Sequence, residues 1–582
     1  FLPAAITVKT LRDLGIEQQK VMDRVFGGIE PATAVATHPK GKHDLKELDA
    51  MVDQGLRRLY DFQHEDGGWG WWKEGHSDYF MSAYVIWGLS LARQAQISVD
   101  DNALNRAAEH LDKRLVEEEL NFDAQAWMLH SLAARAVALN LKPSEFQTKA
   151  FDNLWNNREK LNAYARALLA LSAHYFGFGD KARTLVENLE NGVKRDEKPD
   201  TSVVMEGAQQ SSDAVIGTAH WGEDGIFWHW SDGGVETTAF ALRALLAIDP
   251  KNKLVEPVSN WLIKNRRGAQ WSNTRDTAIT VLTLNEYLRS SGELTPDLEY
   301  EVWVNGQSIA ARKLAGADVF AAPSQYVIDT KLIRDGENEI RIARKGGRGA
   351  IYFAAAATFF SLEEPVTPAG NEIFVRRQYF KWVGHPTLLK GYVYDRQPLA
   401  DHDVVCSGDR VETVLTIEAK NNYEYLVFED LKPGGFESTA IRSGESLWAQ
   451  ELKSDAVDRK LRPADKVDPQ PSASSAAAMP SAIRARRSAD FPSPRIAPVR
   501  PSVDEDHTGR TQWVYQELRD RKVALFVDKL PQGVWEIKYD FRAETPGQFH
   551  ALPVVGHAMY VPEIRCNGTE IRLTVEDVVP TP

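Results

Sequence analysis

An aromatic-glycine signature is written twice along this chain, as Gln63-His-Glu-Asp-Gly-Gly-Trp-Gly-Trp-Trp72 and as Glu223-Asp-Gly-Ile-Phe-Trp-His-Trp-Ser-Asp232. Each copy runs into an alanine-rich helical pattern. A turn crowded with large aromatics, ahead of a helix lined with Ala, Leu and Tyr, suits the rim of a ring of paired helices. Trp69, Trp71, Trp72, Trp228 and Trp230 are therefore expected to pack at that rim, with a sugar-stacking groove as the functional alternative.

Spacing supports the ring. Apolar residues recur every three or four positions in Ala83-Tyr-Val-Ile-Trp-Gly-Leu-Ser-Leu-Ala92, Ala124-Gln-Ala-Trp-Met-Leu-His-Ser-Leu-Ala133 and Ala163-Tyr-Ala-Arg-Ala-Leu-Leu-Ala-Leu171. The pattern returns in Thr237-Thr-Ala-Phe-Ala-Leu-Arg-Ala-Leu-Leu246 and Thr277-Ala-Ile-Thr-Val-Leu-Thr-Leu-Asn-Glu-Tyr287. Neighbouring segments mostly recur at about 40 residues, enough for one helical hairpin each. Small residues on one face let an inner helix approach its neighbours, while a partner such as 49–63 covers the outside. The predicted fold of 1–294 is an α/α toroid, with an open helical solenoid as the alternative.

After residue 294 the texture changes. Glu299-Tyr-Glu-Val-Trp-Val-Asn-Gly-Gln307 reads as a strand ending on an Asn-Gly turn, Asn338-Glu-Ile-Arg-Ile-Ala-Arg344 alternates, and 350–360 is a further apolar run. A small β domain is predicted over 295–364. Past a proline-bearing connection at 365–370, strands are expected over 374–382, 411–418, 423–428, 522–528, 533–541 and 570–575. Between them, 453–510 is rich in Ser, Ala, Pro and Arg and reads as a disordered insert in one β-sandwich spanning 365–582. The chain is thus an α + β multidomain protein.

The balance of 69 basic against 82 acidic residues, net charge −13, argues against a nucleic-acid partner. No apolar run reaches the ~20 residues that span a bilayer. The start, Phe1-Leu-Pro-Ala-Ala-Ile-Thr-Val-Lys, enters an apolar helix without Met or a capping residue, and reads as a piece whose upstream sequence is missing. Cys406 and Cys566 leave both a disulfide and two free thiols open. His76 with Asp78, and His220 with His229, suggest acid-base or metal work, against surface or satisfied core histidines. Arg484-Ala-Arg-Arg487 offers a local basic contact or a solvated charge run.

A helical toroid followed by two β domains resembles the C-terminal part of bacterial alpha-2-macroglobulins. Residues 63–72 followed by Tyr79-Phe-Met-Ser-Ala-Tyr-Val85 look like the aromatic turn and next helix of the thioester domain, and Trp271-Ser-Asn-Thr-Arg-Asp-Thr-Ala278 looks like its closing helix. The β segment 297–362 is similar to the family's CUB portion. Tyr423-Glu-Tyr-Leu-Val-Phe-Glu-Asp-Leu-Lys-Pro-Gly-Gly-Phe-Glu437 and Met559-Tyr-Val-Pro-Glu563 look like the terminal macroglobulin-like domain.

The resemblance implies a broad-spectrum trap for endopeptidases, not an enzyme, exported to the periplasm, the cell envelope or the exterior of a bacterium. In the family, cleavage of an upstream bait segment exposes a Cys–Gln thioester to a protease amine. The Cys-x-Glu-Gln motif is absent here and would precede Phe1, so no residue is assigned a catalytic role, and no metal or cofactor is implied. Membrane association is expected only through an upstream anchor. Met559 and Tyr560 correspond to a Met-Tyr pair that keeps the thioester dry. The rival readings are an α/α-toroid polysaccharide lyase using Tyr, His and Arg, and a non-catalytic envelope scaffold.

Overall fold

The computed structural model describes residues 1–14, 45–197, 202–204, 217–222, 234–266, 270–271, 273–319, 321, 324–353, 355, 366–389, 391–439, 446–452 and 509–577. They fall into two units, Phe1–Glu197 with Ile216–Phe360, and Lys198–Val215 with Ser361–Pro582. The first contains helices α1 (Leu2–Asp13), α2 (Leu45–Asp61), α3 (Tyr79–Gln94), α4 (Asp101–Glu117), α5 (Phe122–Leu139) and α6 (Glu145–Asn156). They continue as α7 (Ala163–Tyr175), α8 (Gly179–Glu190), α9 (Gly234–Ile248), α10 (Val255–Lys264) and α11 (Thr274–Ser291).

Short polar side chains start many of these helices. Asp78, Asp100, Asn121, Asn162 and Asn273 each accept from a first-turn amide, and Ser144 forms a reciprocal capping box with Gln147. Left-handed Asn140 and Gly292 end α5 and α11. Helices α3, α5, α7, α9 and α11 each pack on the next, and α1 packs on both α11 and α3. Six helices thereby close a ring, so the solenoid alternative does not hold. The inner helices bury residues around most of their circumference, as α5 does from Ala124 to Ala134. The outer α4 buries one stripe, Ala103, Leu104, Ala107, Leu111 and Leu115, at helical spacing.

The same unit holds a two-stranded ribbon, β1 (Lys194–Asp196) with β2 (Thr218–His220), and a three-stranded sheet. In that sheet β3 (Asp297–Val304) lies between β4 (Gln307–Ala315) and β5 (Ile340–Arg348). Asn305 and Gly306, both with positive φ, make the tight turn from β3 to β4. The apolar run 350–360 forms no strand at 351–353, and most of the remainder lies outside the described residues. The sheet is completed instead by β4, whose half-exposed residues left little apolar alternation to read.

The described residues of the second unit form strands and the turns between them. Its strands are β6 (Ala369–Gly370), β7 (Ile373–Thr387), β8 (Gly391–Leu399), β9 (Val404–Cys406), β10 (Arg410–Ala419), β11 (Tyr423–Asp430), β12 (Phe436–Ser438) and β13 (Ser446–Leu452). Of the expected insert 453–510, residues 453–508 lie outside the described residues, while Arg510 is held by Glu451 at 2.6 Å; then come β14 (Thr511–Leu518), β15 (Val523–Leu530), β16 (Gly533–Ala543), β17 (Gly547–Ala551), β18 (Val555–Ala558), β19 (Val561–Asn567) and β20 (Ile571–Glu576). One continuous ladder runs β6-β19-β18-β11-β15-β14-β13-β16-β10-β7-β8, and a second sheet runs β17-β20-β9. Strands from both ends of the long ladder share one core, including Val375, Leu415, Phe428, Leu525, Trp535 and Phe541.

At the centre of this core Arg377 pairs with Asp430, Tyr539 donates to the same carboxylate, and the Arg377 guanidinium also donates to Ala551 O at 3.1 Å. The residues from 198–215 that are described, Ser202 to Val204, belong to this unit. Ser202 Oγ and the Val203 amide both donate to the buried Glu418 carboxylate, at 2.7 and 2.9 Å.

Candidate functional site

Strands β18 and β19 meet at Met559 and Tyr560, with Ala558 opposite Val561. Beneath the turn, Ala558, Val561, Ile564 and Cys566 are buried, while Met559 and Tyr560 are 48 and 52% exposed. The hairpin lies close on β11, because a Cβ at Gly556 would come within 2.5 Å of the Phe428 ring and 2.8 Å of Cys566 Sγ. The turn itself rests on Tyr425. The Met559 amide donates to Tyr425 O at 2.9 Å, and the Tyr560 ring meets the Tyr425 ring edge-on, centroids 5.1 Å apart. Tyr425, 39% exposed, completes an apolar surface of three side chains. The alternation around it marks a strand but carries no sign of its positive φ, which is why sequence reasoning missed it.

The first aromatic signature serves chiefly to weld α2 to α3. Trp69 is 2% exposed and belongs to the core, its indole donating to Leu59 O at 2.8 Å and its amide to Ser82 Oγ at 2.9 Å. Gln63 donates to Gly67 O and Ala103 O, both at 2.8 Å, and accepts from Arg106. Gly67 sits at φ +89, where a Cβ would lie 2.4 Å from Arg106 O. Asp66 accepts from Ser77 Oγ at 2.7 Å and from the Gly68 amide at 3.0 Å, with His110 Nδ1 at 3.4 Å. Burial works against the Asp66 charge, but these hydrogen bonds and the neighbouring His110 and His64 hold its carboxyl below the usual range. Trp71 and Trp72 project from the turn, 53 and 77% exposed. Trp228, Trp230 and His229 lie outside the described residues.

Of the other histidines, His76 is exposed, and Asp78 beside it serves as the cap of α3. His220 stacks on Trp261 with centroids 4.6 Å apart; burial, aided by Lys194, pushes its pKa down to about 4. No group of three or more His, Cys, Asp or Glu among the described residues is placed to hold a metal ion. Cys406 and Cys566 are both free thiols, and burial pushes the Cys566 thiol up, away from reactivity. No helix among the described residues is long and apolar enough to cross a membrane.

Aromatic side chains of the inner helices cluster inside the ring. Trp87, Trp127, His130 and Phe240 pack ring to ring within 5.5–6.4 Å. Arg275 pairs with Glu236 and lies over Phe80, and Arg243 pairs with Glu286 at 2.9 Å. Tyr164 donates to Glu236 at 3.3 Å. Tyr164, His130 and Arg243 of this cluster are buried.

Two family models match the chain, the A-macroglobulin TED domain over residues 40–287 and the bacterial alpha-2-macroglobulin MG10 domain over 373–563. The aromatic turn of 63–72 lies within the first match, and Tyr425, Met559 and Tyr560 within the second. An alpha-2-macroglobulin homolog of Nostoc sp. is 21% identical over 536 residues, 90% of this chain and 24% of that protein. The alpha-2-macroglobulin of Thermotoga maritima is 25% identical over 269 residues, 46% of this chain and 13% of that protein. That of Escherichia coli is 23% identical over 410 residues, 68% of this chain and 21% of that protein. Among solved structures, trypsin-activated alpha-2-macroglobulin from Escherichia coli is similar at 16% identity and a TM-score of 0.41, covering 92% of this chain and 30% of that one. The chain thus spans at most about a quarter of the length of these curated relatives.

Proposed function

This chain belongs to the bacterial alpha-2-macroglobulin family, and from that premise we propose that it is part of a broad-spectrum endopeptidase inhibitor. Its target proteases are met outside the cytoplasm, in the bacterial envelope or beyond it. The observation that best supports a trapping role is the Met559–Tyr560 turn, which holds a thioether and an aromatic ring out toward solvent on a hairpin whose own inner face is fully packed. Such a pair suits a lid over a hydrolysable acyl bond, because apolar side chains at van der Waals range displace the water that would attack it.

In this reading a thioester in the full-length protein lies against Met559 and Tyr560 until bait cleavage separates them. A lysine amine of the protease then attacks the acyl carbon. The C–N bond forms, the C–S bond breaks, the cysteine leaves as thiolate, and the amine's proton passes to solvent. Nothing restores the thioester, so the protein acts once and does not turn over.

The test is the intact mass of the full-length protein before and after methylamine, paired with a free-thiol assay. Addition of one methylamine and release of one thiol is expected. Absence of both, in native and in denatured protein, would sink the covalent trap. Met559→Ala with Tyr560→Ala is expected to raise the rate of thiol release in untreated protein by about 10-fold or more, as water gains access.

A further inference from the structure

The hairpin that carries Met559 and Tyr560 lacks the chemistry of a self-supporting turn. Two-residue loops between antiparallel strands ordinarily need a positive φ at one or both positions, supplied by Gly, Asn or Asp. Met559 and Tyr560 are neither, and neither is among the residues with positive φ. The ladder also slips next to the turn, between His557 and Ala558.

The unusual backbone occurs instead across the sheet, at Tyr425. Its φ is +53, a left-handed conformation that is uncommon for a bulky side chain; it costs on the order of 1–3 kcal/mol and persists only where the surroundings impose it. Leu426 pairs with Ala558, so the next step of the register sets Tyr425 opposite Met559, where its carbonyl receives the Met559 amide. In the ladder to β15, Glu424 and Leu426 find partners and Tyr425 is stepped over.

From this we infer that Tyr425 is a positioning residue, which fixes the Met559–Tyr560 turn through its left-handed carbonyl and its edge-on ring. Its bearing on acyl protection rests on the trap reading above; its hold on the turn does not. The backbone conformation aims the carbonyl at the Met559 amide, and the ring limits Tyr560 to an orientation perpendicular to it.

The experiment uses the full-length protein and two substitutions. Tyr425→Asn tolerates the left-handed backbone but removes the ring, and Tyr425→Phe keeps the ring. Hydrogen exchange across 555–567 reads the turn directly, and methylamine-triggered thiol release reads the lid. Tyr425→Asn should speed exchange at the turn by about 3- to 10-fold and accelerate thiol release, with the thermal midpoint of the β unit little changed. Tyr425→Phe should match the wild type in both. Unchanged exchange in Tyr425→Asn would overturn the assignment, as would a change shared equally by Tyr425→Phe. If the wild type releases no thiol, the covalent reading falls, while the exchange result still decides the role of Tyr425.

Discussion

Among single residues, the buried histidines connect the ring to pH. His220 is neutral against Trp261 and near Lys194, with its pKa pushed from the ordinary 6.5 down to about 4, chiefly by burial. Burial, with Arg243 nearby, drives His130 down as well. In both, the folded state resists a proton that the unfolded chain accepts. Their contribution is therefore complete above pH 6.5 and is lost as the pH falls from 6.5 toward the folded value. For His220 the loss by pH 5 is up to about 2 kcal/mol. Urea unfolding of the wild type should show a midpoint falling between pH 7 and 5. His220→Phe, which keeps an aromatic ring against Trp261, should flatten part of that fall, and an identical slope in the two proteins would exclude His220 as a source.

At the scale of elements, the turn between α2 and α3 and the hairpin β18–β19 solve the same problem in opposite ways. The first carries its own turn chemistry, with Gly67 at positive φ and Gln63 and Asp66 bonding within the turn, and leans on α4 through Ala103, Arg106 and His110. The second borrows its shape from Tyr425. Gly67→Ala should therefore destabilise the ring by about 1–3 kcal/mol, since it combines a left-handed backbone with a 2.4 Å approach to Arg106 O. A thermal midpoint within a degree of wild type would contradict that.

The difference also explains what was legible in the sequence. The glycine-aromatic turn could be seen because its composition is its mechanism. Its meaning was read only in part, because Trp69 turned inward as core while Trp71 and Trp72 stayed outside, a split that composition cannot express. The inner helices were legible because Ala, Leu and aromatic residues surround them. Strands β8, β13, β14 and β17 were not, since exposed or edge strands such as β8 mix charge and apolar residues without clean alternation. Met559 and Tyr560 were singled out by likeness alone.

At the scale of the whole molecule, the described residues form two large apolar cores, one within the helical ring and one within the β unit, and a small third one around Leu298, Tyr300 and Val302 in the three-stranded sheet. Calorimetry should resolve two unfolding transitions. Gly67→Ala should move only the one belonging to the ring. Asp430→Ala, which strands the fully buried Arg377, should move only the other, by about 3–5 kcal/mol. A single transition shifted by both substitutions would show that the cores melt as one.

Closure of the ring by α1 has a consequence for the order in which this chain can fold. Of the six ring helices α1 is made first, and α3 follows soon enough to pack on one side of it. Its other neighbour is nearly the full length of the helical region away: Asp13 finds Asn285 at 3.1 Å only after 272 further residues. At roughly 5–20 residues per second, that is a wait of roughly 15–50 s. Throughout it the growing ring is an open arc with apolar edges, and only the last helix to be made turns it into a sealed body.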